Sequence, residues 1–418
     1  MLGRNHAGCM SGGTNYFDSV GSIFSNKDLL RIETVPESDD RIIGRGDQLS
    51  ELASELGSAI EGQKPNNVFI FGKPGVGKSM CAKFLGRQLV ERGAANGVSI
   101  GVAYVDCMQN SSETQVVVRA GELVNDPDET DITFPSGGVS RSRLYDRLWN
   151  AFDQFYDVGV IILDEIDKLD SPNETLGTLS RAGESEKLSD CHLGVVGISN
   201  KARFENRLTS EVRSSLTQNE LVFPPYNINE LFNILKARRD AFNPDVLPSD
   251  ARALDDIFAT AAKFAAQEYG DARQAIDILR KTGEIAEREG ADVLTTSHVE
   301  RALDKAEEDK LVKMMQTQPV QSQYVMQSVA LTTDDADPGE DVKSHDVYSK
   351  YEQITQYEDT NTLSWRRVRD LLDELEDLDV LDQRRKGAGK GKGTYRSIYL
   401  ADSPETVLRA CESVTDGG

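Results

Sequence analysis

Residues 67–79 read Asn-Val-Phe-Ile-Phe-Gly-Lys-Pro-Gly-Val-Gly-Lys-Ser, and positions 72–79 fit G-x-x-x-x-G-K-[ST]. Gly75 and Gly77 let the backbone turn until successive N–H groups converge where a helix starts, an anion nest suited to polyphosphate. Lys78 adds a point charge for the β- and γ-phosphates, and the Ser79 hydroxyl is placed to hold Mg²⁺. Lys73, Pro74, Val76 and Met80 complete the loop as candidate cofactor contacts. A second chemical group closes the apolar run 158–163, where Asp164 would hold the metal through water and Glu165 would serve as base for an attacking water. A third is Asn200, a polar amide at the end of run 193–199, placed to reach the γ-phosphate or that water. A fourth is Arg273, in Gly-Asp-Ala-Arg at a helix start.

These groups need a scaffold. Residues 68–71 form a β-branched and aromatic run, and a helical pattern over 80–90 follows the loop with Phe84, Leu85 and Leu89 on one face. Further strands are expected at 102–105, 158–163, 193–199 and 220–223, an α/β alternation with a parallel sheet. Ligands of such sheets bind at the carboxyl ends of the strands, where the named residues cluster. Residues 111–155 hold two helices around a Pro/Gly/Asp-rich break, longer than one crossover needs, so an insert is expected. Ile43 and Arg45 precede a packing helix built on Leu49, Leu52, Leu56 and Ile60, and Pro224-Pro225-Tyr226 makes a rigid exit from the sheet. Ile43 or Arg45 is a candidate for a place near the nucleotide base, and Tyr226 is a candidate cofactor contact. From 228 to 315 the pattern is helical throughout, over 228–242, 251–269, 272–289 and 297–313: a lid.

The chain has 418 residues, enough for two or three domains. Its five cysteines (Cys9, Cys81, Cys107, Cys191, Cys411) are scattered without a C-x-x-C, which argues for idle thiols in a reducing compartment and against zinc. Residues 1–25 lack the apolar core of a signal peptide, and no apolar run spans a bilayer, so a soluble cytoplasmic protein with no membrane partner is expected. Seventy acidic against 47 basic residues give a formal charge of −23, an excess that repels nucleic acid overall and that a salt-rich cytoplasm would favour.

One region reverses that sign. Residues 384–396 hold six basic residues and four glycines in thirteen positions without one acid, between two strand-like ends. Upstream, Ser364 is a candidate N-cap for a helix with Arg366, Arg367 and Arg369 in its first turns and Val368, Leu371, Leu372, Leu375 and Leu378 as its core face. A basic helix start and a basic hairpin together describe a winged helix-turn-helix that grips a duplex through Ser364, Arg366, Arg367, Arg369, Arg384, Arg385, Lys386, Lys390, Lys392 and Arg396. Six phosphates neutralised would give a salt slope of about −5.

The phosphate loop, Leu163-Asp164-Glu165-Ile166-Asp167, Ile198-Ser199-Asn200, Phe223-Pro224-Pro225-Tyr226, Gly270-Asp271-Ala272-Arg273 and the winged helix come in an order that resembles the archaeal replication initiators. These are relatives of the origin recognition complex large subunit and the cell-division-cycle helicase loader. The resemblance covers about residues 20–402. It implies an α/β AAA+ P-loop NTPase with a parallel sheet, followed by a helical lid domain and a winged helix-turn-helix domain. The boundaries would be a tail and docking segment over 1–40, the nucleotide-binding domain over 41–226, the lid over 227–314, the winged helix over 315–402 and a tail to 418. It implies ATP or ADP with Mg²⁺, slow switch-like hydrolysis, double-stranded origin DNA, the replicative MCM helicase, and paralogous initiator subunits as partners. Asn200 then looks like sensor 1 and Arg273 like sensor 2, and Arg141 and Arg143 in the insert are DNA candidates. Where the family carries an arginine finger this chain has Glu211, so either Arg213 substitutes or hydrolysis in trans is weak. A DNA-binding regulator with little turnover, and a clamp-loader or partition-type motor, are the alternatives.

Overall fold

The computed structural model describes residues 23–415 apart from 33–35, 37, 39–40, 183–186, 202, 217–218, 268–269, 338–339 and 388–393. Lys390 and Lys392 lie outside the described residues. The chain divides into two compact units, Met1–Thr296 and Ser297–Gly418.

In the first unit the described elements run α1 (Gly46–Leu56), β1 (Val68–Phe71), α2 (Lys78–Ala95), β2 (Ile100–Asp106), α3 (Glu113–Val124), α4 (Pro127–Thr130), α5 (Arg141–Phe155), β3 (Val158–Asp164), α6 (Pro172–Ser180), β4 (His192–Ser199), α7 (Ser210–Leu216), β5 (Glu220–Val222), α8 (Ile228–Lys236), α9 (Ala251–Gln267) and α10 (Ala272–Arg288). The five strands pair in parallel in the order β2-β3-β4-β1-β5. β3 is apolar up to its last residue because both of its faces are covered, and all seven of its residues are buried. One apolar layer, from Phe69 through Trp149 to Phe204, fills one side of the sheet; a second, from Leu52 through Phe84 to Phe223, fills the other.

The helical segment after the sheet opens at Asn227, whose side chain accepts from the Glu230 N–H at 3.0 Å while Glu230 accepts from the Asn227 N–H at 2.8 Å. α8 stops at Lys236, short of the expected 228–242, and the chain continues as a 3₁₀ turn at Arg239–Ala241. That turn receives the start of the described chain: the Ser25 N–H donates to the Ala241 carbonyl at 2.9 Å, and Phe24 stacks on Phe242 with centroids 5.4 Å apart.

The second unit holds all but the first residue of α11 (Thr296–Gln316), then α12 (Val320–Asp334), β6 (Val342–Lys343), α13 (Ser344–Tyr357), α14 (Trp365–Asp377), β7 (Leu381–Gly387), β8 (Thr394–Leu400) and α15 (Pro404–Thr415). The strands form an antiparallel sheet, β6-β8-β7. α14 buries Val368, Leu371, Leu372 and Leu375, whereas Leu378, expected on the same face, is 44% exposed. Leu378 is the C-cap, and Asp379 beyond it has φ of 58°, which turns the chain away before a fifth apolar residue can pack.

Cys81, Cys107, Cys191 and Cys411 are buried. Burial pushes the Cys81, Cys191 and Cys411 thiols up to about 12, which keeps them protonated and unreactive. Among the described residues, no helix is long and apolar enough to cross a membrane.

Candidate functional site

β1 ends at the phosphate loop, β3 at Asp164, β4 just before Asn200, and α10 starts just before Arg273. Together they open on a cleft of about 520 Å³. Ile43, Gly75, Gly77, Lys78, Ser79, Met80, Asp164, Glu165, Asn200, Tyr226 and Arg273, each named from the sequence, all line it. Lys73 and Pro74 are exposed and Val76 is packed in the core, so what these three offer the cleft is backbone.

Gly75 and Gly77 have φ of 74° and 91°, in the left-handed region where glycine is needed. A Cβ on Gly75 would lie 1.7 Å from Asp271 Oδ1, and one on Gly77 would lie 2.7 Å from the Tyr226 hydroxyl. The loop therefore abuts the start of α10, and the Ala272 N–H donates to the Gly75 carbonyl at 3.1 Å. Asp271 caps α10 by accepting from the Arg273 N–H at 2.7 Å, which fixes where Arg273 emerges.

Lys78 Nζ donates to the Gly72 and Lys73 carbonyls, both at 2.7 Å. Burial pushes its pKa down to about 8; Arg273 pushes the same way, while Asp164, Glu165 and Asp167 pull part of the way back. Asp164 Oδ1 accepts from the Glu165 N–H at 2.9 Å, and its Oδ2 accepts from the Tyr104 hydroxyl. Burial and the Asp164 charge raise the Tyr104 phenol well above its ordinary value. Glu165 sits at φ of 55°; its Oε1 accepts from Asn200 Nδ2 at 2.9 Å, and its Oε2 is buried without a partner. Asn200 is itself held by Asp167, whose Oδ1 accepts from the Asn200 N–H at 3.2 Å.

An orphaned carboxylate oxygen, a glycine cradle that no Cβ fits and a lysine beside it suit a nucleotide with its metal. Among the described residues no cluster of three or more His, Cys, Asp or Glu could hold a metal ion, so Mg²⁺ here would depend on Ser79, Asp164 and the phosphates.

The cleft also holds residues that sequence reasoning passed over as ligands: Tyr104, Lys83, Arg41 and Arg238. Tyr104 was legible in part, as a polar-tipped residue two positions before the end of β2. Arg45, raised only as a neighbour of the base, is 1% exposed. Its guanidinium donates to the carbonyls of Val76 at 2.8 Å, Gly44 at 2.9 Å and Pro224 at 2.7 Å, and lies 3.6 Å from the Tyr226 ring centroid. Arg213 lies outside the cleft on α7, donating to the Glu205 carbonyl at 2.6 Å. In the insert, Arg141 is paired with the buried Glu113 at 2.5 Å, while Arg143 is exposed.

In the second unit Ser364 caps α14, accepting from the Arg367 N–H at 3.5 Å. Four of the basic candidates carry internal acids: Arg367 with Glu374 (3.3 Å), Arg384 with Asp382 (2.7 Å), Lys386 with Asp341 (2.5 Å) and Arg396 with Asp373 (2.5 Å). Arg366, Arg369 and Arg385 are exposed. Asp341 also accepts from the hydroxyls of Tyr395, Ser397 and Tyr399.

Residues 61–204 match the AAA domain family, 232–304 the Cdc6 AAA+ ATPase-type lid domain and 313–410 the CDC6 C-terminal winged helix domain. The chain is 40% identical over 392 residues to the ORC1-type DNA replication protein 4 of Halobacterium salinarum, covering 94% of this chain and 93% of that one. It is 35% identical over 389 residues to the ORC1-type DNA replication protein of Pyrococcus abyssi, covering 92% and 89%. The structure of the Aeropyrum pernix ORC1 protein in complex with DNA is similar at a TM-score of 0.63 and 29% identity, covering 94% of this chain and 97% of that one. With relatives of this identity spanning nearly its whole length, the chain belongs to the archaeal ORC1-type DNA replication proteins, AAA+ proteins with a Cdc6-type lid and winged helix.

Proposed function

We propose that this protein is an ATP-dependent replication initiator that binds double-stranded origin DNA and recruits or loads the replicative MCM helicase, acting with paralogous initiator subunits. The observation that carries the switch is the convergence of Lys78, Ser79, Asp164, Glu165, Asn200 and Arg273 on one cleft. Lys78 and the loop amides bind the phosphates, Asn200 and Glu165 orient and deprotonate the attacking water, and Arg273 ties the γ-phosphate to the lid. Ser79, and Asp164 through water, would hold magnesium, which would supply charge neutralisation at the phosphate oxygens. Hydrolysis removes the contact to Arg273 and loosens the lid, so that nucleotide state acts as the switch.

For DNA, the reading rests on α14 and the hairpin. Arg385 stands directly opposite Arg396 across β7 and β8; Arg396 is held by Asp373 at 2.5 Å, which leaves the exposed Arg385 as the hairpin's candidate for a phosphate. Arg143 is the candidate from the insert, since Arg141 is engaged by Glu113. Genome-wide footprinting tests the initiator role: protection focused at a few loci is expected, and crosslinks spread evenly would overturn it.

A second reading, a DNA-binding regulator with little turnover, is favoured by Glu211 and by the tie between Arg213 and the Glu205 carbonyl. Single-turnover hydrolysis with and without DNA separates the two, because an initiator that keeps its switch turns over at least once.

A further inference from the structure

Arg238 follows α8 and lines the nucleotide cleft beside Ile234, near Tyr226 and Arg41. The ordinary account of such a residue is a helix C-cap, and its Nη1 does donate to the Ile234 carbonyl at 2.8 Å. A capping arginine keeps its head fully in water, however, and this one is half-buried where it lines the cleft. Burial pushes its pKa down to about 10, and Arg41 beside it pushes the same way. Among the described residues its guanidinium makes no ion pair and this one hydrogen bond, which leaves most of its five N–H donors without a protein acceptor. A half-buried cation with few acceptors is costly in the empty protein, and an anionic ligand removes the cost; Arg41 beside it is itself paired with Asp240 at 3.8 Å.

The two ends of the cleft are electrically distinct. The charges acting on Lys78 are Asp164, Arg273, Glu165 and Asp167, at the end where the γ-phosphate lies. Those acting on Arg238 are Tyr226 and Arg41, at the other end. Building on the nucleotide reading of this cleft, we infer that Arg238 binds the nucleoside 5′-phosphate portion that ATP and ADP share, with Arg41 as its weaker neighbour. Its contribution is then equal for the two nucleotides, whereas Arg273, at the γ-phosphate end, separates them. The lid would thus hold nucleotide by two arginines: one blind to hydrolysis, one reading it.

The test is calorimetric titration of the full chain with ATP and with ADP in magnesium buffer, for wild type, Arg238→Met and Arg273→Met, beside melting curves without nucleotide. Arg238→Met is expected to weaken ATP and ADP by the same factor, at least tenfold, while its nucleotide-free melting temperature holds or rises. Arg273→Met is expected to weaken ATP more than ADP. Arg238→Lys, which keeps charge and folding with a shorter reach, is expected to fall between wild type and Arg238→Met. Unchanged affinities in both Arg238 variants, a loss confined to ATP, or a nucleotide-free melting temperature that drops in step with affinity would overturn the assignment. Wild type that binds neither nucleotide would overturn the nucleotide reading itself, a result distinct from all of these.

Discussion

Glu165 combines a left-handed backbone, one carboxylate oxygen tied to Asn200 and another buried with no partner. Strain of this kind, on the order of 1–3 kcal/mol, persists where the surroundings impose it and collects at working sites. Glu165→Gln keeps the shape and an acceptor for Asn200 but removes the base. Hydrolysis is expected to fall at least about 100-fold while ATP binding stays, as read by single-turnover assay beside titration. That Asp164 and Glu165 close a buried strand was legible in the sequence, because an apolar run ending in two acids has few other meanings. The bond from Asn200 was not, since it joins residues 35 apart in sequence that meet only when β3 and β4 pair. Arg238 was invisible for a related reason: the wall it belongs to exists only once α8 and the segment carrying Arg41 and Ile43 come together.

At the scale of elements, α14 and the hairpin carry the expectations for DNA. Leu372 is fully buried, so Leu372→Ala is expected to cost about 2–5 kcal/mol in denaturant unfolding. Leu378→Ala, at an exposed position, is expected to cost less than about 1 kcal/mol. Helical spacing put both residues on one stripe; only the turn at Asp379 separates them. Asp341 lashes the hairpin to the strand before it, and the Lys386 amine, with help from Tyr395, holds its carboxyl well below the usual range. A depressed carboxyl contributes stability above its unfolded value, near pH 4, and loses it as pH falls toward the folded value. Asp341→Asn should therefore melt below wild type at pH 6, with the gap closing as the pH is lowered from about 4 to 2. A gap that stays constant with pH would show that the hairpin does not need this charge.

The whole molecule carries −23 and presents DNA with basic groups that in several cases bring their own acids. A cation already neutralised from within releases fewer counterions on binding, so the salt slope should be shallower than a count of basic residues suggests. Arg385→Ala is expected to reduce the slope by about one, and Lys386→Ala by less, in binding measured across a KCl series. Melting temperature without DNA should rise over the same series as self-repulsion is screened. The buried guanidinium of Arg45 bears on how such a molecule can move. By gripping Val76 and Pro224 at once it welds the phosphate cradle to the exit of the neighbouring edge strand, β5. On the proposed nucleotide reading, a lid that swings would pivot beyond Pro224, and a spent nucleotide would leave by the cover lifting while the floor stays closed.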